Sequence, residues 1–217
     1  MNGQTFTVGE ALSQGWRLTK THLPFLIGYF LIMLAITAFF STINYKYDSA
    51  LAHLLGSIIG VFVQMGFYKS ALMITDGIKP NFDQLYANWH LFIYWLVAYF
   101  LFGALFFLGM ILFIIPALYV LARYGLFPYF IVDKGMGPLE ALKAAGQASE
   151  GKRWQLFLLY IAAFGVNFLG ALLFGIGLLF TIPLTMLAFA YVYRKITSSE
   201  QLMTEKLITD NTDNSGL

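Results

Sequence analysis

Arg123 is the one formal charge within residues 91–132, an otherwise apolar stretch, and Gln64 and Asn167 are amides set in the middle of two other apolar stretches. An arginine inside a bilayer costs at least ~2.5 kcal/mol on insertion scales, so it persists where a partner or a function holds it. Its partner is either Asp133 or a buried amide, with the side chain reaching toward a basic interface, or it meets a ligand or lipid headgroup. Asp133 is poorly placed on one straight helix, which points to a neighbouring helix. Membrane amides usually bond across helices for about 0.6 kcal/mol each. Arg123, Gln64 and Asn167 are therefore the candidate intramembrane polar site. Lys152, Arg153 and Trp154, together with Trp16 and Trp89, are candidate headgroup contacts, because indoles favour the headgroup level and cations attract anionic lipid.

Other chemistry is hard to assemble. His22, His53 and His90 are far apart and form no His-x-x-x-His pair, and the chain has no cysteine, so no metal site is expected. Paired carboxylates, a Gly-x-Ser-x-Gly elbow and a phosphate loop are also missing. The expectation is a protein that is not an enzyme and uses no cofactor. A net charge of +2 gives no reason to expect nucleic acid.

The elements that must position these residues follow from charge distribution. Only 11% of the 217 residues are charged and 59% are hydrophobic, against about 25% charged in ordinary soluble domains. The windows between Lys20 and Lys46, Asp48 and Lys69, Asp83 and Arg123, and Arg153 and Arg194 hold 25, 20, 39 and 40 uncharged residues. About 20 helical residues cross a 30 Å hydrocarbon core, and backbone satisfaction in lipid selects helices here. The two longest windows must fold back, which predicts turns at Gly109 and at Gly175-Ile176-Gly177, with bends at Pro116 and Pro183. The spans fall at 23–43, 51–75, 91–108, 110–132, 156–174 and 178–194 of a single transmembrane domain over 1–197, followed by a disordered polar tail over 198–217. Residues 1–22 lack the basic stub and apolar core of a cleaved signal peptide, so the first span is read as retained.

With six spans, eleven of the 13 Lys and Arg residues fall on one side, Lys46 opposite and Arg123 within. The positive-inside rule then places both termini in the cytoplasm. Three amphipathic stretches precede the hairpins on that side. Val8, Leu12 and Trp16 follow a Thr7/Glu10 capping box. Phe82, Leu85, Tyr86 and Trp89 follow Asn81, and Leu139 and Leu142 follow Pro138. An internal repeat is also suggested: Gly103-Ala104-Leu105, Phe107, Leu112, Phe113, Ile115 and Pro116 recur as Gly170-Ala171-Leu172, Phe174, Leu179, Phe180, Ile182 and Pro183. Fold class is thus all-α: a polytopic membrane protein of three hairpins, each preceded by a cytoplasmic interfacial helix.

Ile115-Pro116, Arg123-Tyr124, Val132-Asp133, Glu140-Ala141-Leu142, Gly151-Lys152-Arg153-Trp154 and Ile182-Pro183 resemble a largely uncharacterised bacterial family of six-helix inner-membrane proteins. That family is similar to the membrane domain of glycerophosphoryl diester phosphodiesterases. The resemblance implies a bacterial inner-membrane location. It carries no catalytic domain, and Ala145-Gly146 stands where many members have Ser-Trp. The function expected is a non-enzymatic integral membrane protein in envelope homeostasis or assembly, with membrane lipids, anionic ones included, and a protein partner or second copy as its contacts. The alternative is a transporter or lipid translocator using a polar path at Arg123.

Overall fold

The computed structural model describes residues 6–47, 50–84, 88–173 and 175–214. Every regular element among them is a helix: α1 (Val8–Thr21), α2 (Leu23–Tyr47), α3 (Ala50–Thr75), a 3-10 turn at Trp89–Leu91, α4 (Phe92–Leu112), α5 (Ile114–Tyr124), α6 (Phe127–Lys134), α7 (Pro138–Ala148), α8 (Arg153–Leu172) and α9 (Leu178–Asn214). Among the described residues, six stretches of helix are long and apolar enough to cross a membrane: Leu23–Tyr47, Ala50–Thr75, Trp89–Leu112, Ile114–Lys134, Arg153–Leu172 and Leu178–Ser198.

Consecutive long helices run against each other. Tyr29 of α2 donates its hydroxyl hydrogen to the Val63 carbonyl of α3, and Gly56 of α3 lies against the Phe40 ring. The reversal between α4 and α5 falls at Phe113 rather than Gly109. Gly109 stays helical and serves as a seat for the facing helix, since a Cβ there would come within 2.9 Å of the Ala117 nitrogen. Glycine in lipid permits close approach as readily as it marks a turn. Pro116 does not bend the chain, because it lies in the first turn of α5, where no backbone donor is required. The break comes later, at Gly125, and divides the expected span 110–132 into α5 and α6. Between α8 and α9 the turn carries Gly175 at φ 77°, while Gly170 and Gly177 pack on each other. Pro183, the repeat counterpart of Pro116, is inside a helix. Phe174, in the second copy of the suggested repeat, lies outside the described residues. α9 runs from Leu178 to Asn214.

Burial is sharply uneven. The core gathers Phe6, Ala11, Leu72, Ile74, Ala141, Leu142, Ala145, Leu187, Ala188, Val192, Tyr193 and Ile196 around α6, whose residues from Phe127 to Val132 are all buried. At the other end Phe39, Tyr45, Leu54, Leu55, Phe113, Ile115, Leu172 and Leu173 are exposed. Hiding an apolar side chain from lipid gains little, whereas hiding it from water gains ~25 cal/mol per Å². The packed end is thus built for contact with water, and the bare end for contact with lipid.

Charges close the packed end. Arg194 of α9 binds Asp133 of α6 and Asp76 beyond α3, at 2.7 Å each. Tyr193 donates to the same Asp133 oxygen at 2.7 Å, and Lys69 donates to the Val132 carbonyl at 3.3 Å. The Thr7/Glu10 capping box forms. The second carboxylate oxygen of Glu10 accepts from Lys195 at 2.7 Å and from Tyr191 at 2.5 Å.

The three amphipathic stretches pack against the bundle in different ways. On α1 the buried stripe is Ala11, Gly15 and Thr19, pressed on α9, and Trp16 stays exposed. Phe82, itself exposed, lies against Phe25, with ring centroids 4.8 Å apart, while Leu85 and Tyr86 lie outside the described residues. On α7 the buried residues are Ala141, Leu142, Ala145, Gly146 and Ala148, and Leu139 is exposed. Small residues bring α1 and α7 close to their neighbours.

Candidate functional site

α5 and α8 bring together two arginines that are distant in sequence. Tyr119 and Arg123 share one face of α5, at the i, i+4 spacing that makes side chains neighbours. Arg153 is the first residue of α8. One terminal nitrogen of each guanidinium, Nη1, donates to the Tyr119 hydroxyl oxygen at 3.0 Å. The guanidinium carbons of Arg123 and Arg153 lie 5.9 Å and 5.4 Å from the Tyr119 ring centroid, and Arg123 also lies 5.2 Å from the ring of Tyr124.

Space for Arg123 comes from α7. A Cβ on Gly146 would come within 3.1 Å of the Tyr124 ring and 3.5 Å of Arg123 Nε. A larger residue at 146 would occupy the volume under Arg123. Nε of Arg123 and Nε of Arg153 are both buried, with no hydrogen-bond acceptor among the described residues.

The cluster carries an excess of positive charge. Two nitrogens bonded to one oxygen at 3.0 Å are at most about 6 Å apart, so the two cations repel by on the order of 3 kcal/mol at an effective dielectric of about 20. Glu150 lies 3.4 Å from Arg153 and offsets part of this, but its side chain is 64% exposed, so solvent screens it. Beside the arginines, Ile115, Leu118, Tyr119, Ala122, Arg153, Trp154 and Phe157 line an open groove of about 390 Å³.

Asp133 is not the partner of Arg123, since it is held by Arg194 and Tyr193. Gln64 and Asn167 lie elsewhere. Asn167 donates across helices to Thr185 at 3.2 Å, and its carbonyl oxygen is buried without a hydrogen-bond partner among the described residues. It lines a cavity of about 420 Å³ with Tyr68, Tyr99, Tyr129, Tyr160 and Met186. Gln64 lines a second, of about 190 Å³, in which Tyr68 and Met186 also take part. The two amides thus border adjoining spaces, and Arg123 lines neither. Trp16, Trp89 and Trp154 are exposed, with Lys20 5.3 Å above Trp16. Of the candidate headgroup contacts, Arg153 and Trp154 adjoin Arg123, while Trp16 and Trp89 are on separate elements. Sequence reading did not single out Tyr119, although an aromatic residue four positions before an intramembrane arginine was an available signal.

Among the described residues no three of His, Cys, Asp or Glu come together as metal ligands do. No curated protein and no solved structure matches the chain. Residues 105–200 match the model of a family described as "Protein of unknown function (DUF975)". The match contains Tyr119, Arg123, Gly146, Glu150, Arg153 and Trp154 and leaves out Gln64, Trp16 and Trp89, so the chain is similar to an uncharacterised family over the stretch that forms the arginine cluster.

Proposed function

We propose that this is a non-enzymatic integral membrane protein of the bacterial inner membrane, with both termini cytoplasmic, that acts in envelope homeostasis or assembly through lipid and protein contacts. The observation that carries the reading is the make-up of the packed end: Arg153 with Trp154 and Lys20 over Trp16 present cations beside exposed indoles. This combination suits the headgroup layer of an anionic leaflet.

The test is the lipid that accompanies the protein. Purified gently in detergent, it should retain anionic lipid in excess over the bulk membrane ratio, and Lys152→Gln with Arg153→Gln should reduce that excess. Retention at the bulk ratio would remove the lipid half of the reading.

The adjoining cavities at Gln64 and Asn167 favour a second reading, a translocation path, now routed through these amides and the tyrosines and not through Arg123. The chain has no cysteine, so Ala163→Cys, in the wall of the larger cavity, reports on it cleanly. A hydrated path predicts labelling by a small charged thiol reagent. An inert thiol rejects it.

A further inference from the structure

We propose that the groove between α5 and α8 is a binding site for one anionic phospholipid, its phosphate set against Arg123 and Arg153 and an acyl chain laid along Ile115, Leu118 and Phe157. This rests on the lipid-contact reading above and gives it a place and a stoichiometry.

Charge complementarity identifies the occupant. Two guanidiniums converge on Tyr119 Oη at 3.0 Å each, and the carboxylate beside them, Glu150, is 3.4 Å from Arg153 and largely solvated. A phosphodiester brings the missing negative charge, and its oxygens suit the planar donor fork of arginine. Tyr119 accepts from both arginines, so its own hydrogen is free to be donated to a phosphate oxygen. The phenol thus fixes the spacing of the two cations and adds a third donor.

The groove has the polarity of a lipid. α5 runs toward the packed end and α8 away from it, so Arg153 and the Tyr119 hydroxyl, which line the groove, mark one end of it, with Arg123 bonded to that hydroxyl from beside the groove. Leu118 and Ile115 follow one and two turns before Arg123, and Phe157 one turn after Arg153. Apart from Arg153 and the Tyr119 hydroxyl, the lining side chains are hydrocarbon or aromatic. Trp154, 67% exposed, stands at the arginine end, the depth at which an indole meets the glycerol and headgroup region. A free anion would satisfy the arginines but leave this apolar extension without purpose, which is why a lipid is assigned.

Native mass spectrometry of the full chain, released from detergent with phosphatidylglycerol or phosphatidylcholine, tests the assignment. The wild type should bind the first lipid about tenfold more tightly at a single saturating site, and Arg123→Gln and Arg153→Gln should each remove most of that preference. Ile115→Trp changes no charge and alters a groove-lining position that is 79% exposed, so it should fold normally and weaken binding by narrowing the groove. Wild-type preference that survives all three substitutions would overturn the site while leaving the lipid-contact reading in place. No preference in the wild type would overturn both. Displacement of the lipid by an equal concentration of inorganic phosphate would show a plain anion site and overturn the lipid assignment.

Discussion

Gly15 of α1 lies against the Leu184 carbonyl oxygen of α9, so close that a Cβ on Gly15 would sit 2.5 Å from it and 3.0 Å from the Ala188 nitrogen. Both obstacles are backbone, and neither can move without shifting a helix. The contact anchors the N-terminal helix to the last span.

Gly15→Ala should therefore destabilise the protein by about 1–3 kcal/mol, the usual penalty for forcing atoms into a packed interface. Gly60→Ala is the control: a Cβ at Gly60 meets nothing within 4 Å, so it should be neutral or stabilise by up to ~1 kcal/mol through helix propensity. Thermal unfolding in detergent, followed by circular dichroism, measures both. Equal behaviour of the two variants would show that α1 does not dock on α9.

The charge network at the packed end should be strongly coupled. Arg194→Gln leaves Asp133 and Asp76 without their cation, at a cost of roughly 1.5–3 kcal/mol for lost hydrogen bonds to charged groups. Asp133→Asn removes the acceptor shared by Arg194 and Tyr193. In a double-mutant cycle the pair should lose clearly less than the sum of the single changes. Strict additivity in unfolding free energies would mean the contact contributes little.

Glu10 makes acid stability predictable in sign. Its carboxyl is held below the ordinary value of 4.5 by hydrogen bonds from Lys195 and Tyr191. A lowered carboxylate pKa means the contribution is fully present above the unfolded value and is lost as pH falls through the folded one. The unfolding midpoint should accordingly fall as the pH drops below the ordinary carboxylate value of 4.5. Glu10→Gln should lower stability at neutral pH and flatten that part of the profile. An unchanged profile in the variant would assign the acid loss to other carboxylates.

Asn167→Leu should be mild, at about 0.6 kcal/mol for a cross-helix amide bond, because only its contact with Thr185 is lost. The same change fills the cavity it lines. If that cavity conducts a solute, transport should fall while the unfolding midpoint hardly moves. A large fall in stability would mark Asn167 as structural.

The spans were legible because uncharged windows of this length have one stable solution in lipid. The details were not, for reasons visible at single residues. Gly109 reads as a turn, but in a bundle it also serves to bring Ala117 close. Val8, Leu12 and Trp16 read as the face of α1, yet Ala11, Gly15 and Thr19 are its buried stripe, since close helix packing selects small residues over large apolar ones. Arg123 stood out as a lone intramembrane charge. Its meeting with Arg153 did not, because it depends on how α5 crosses α8 and on the space left at Gly146.

Everything proposed for the arginine groove requires the packed, basic end to face the cytoplasmic leaflet. Two single cysteines in this cysteine-free chain measure that directly: Tyr45→Cys at the bare end, where Tyr45 is 94% exposed, and Leu139→Cys on the exposed side of α7. With a membrane-impermeant maleimide, Tyr45→Cys should label in intact cells and Leu139→Cys only after permeabilisation. Labelling of Leu139→Cys in intact cells, with Tyr45→Cys protected, would contradict the orientation and the lipid contacts built on it.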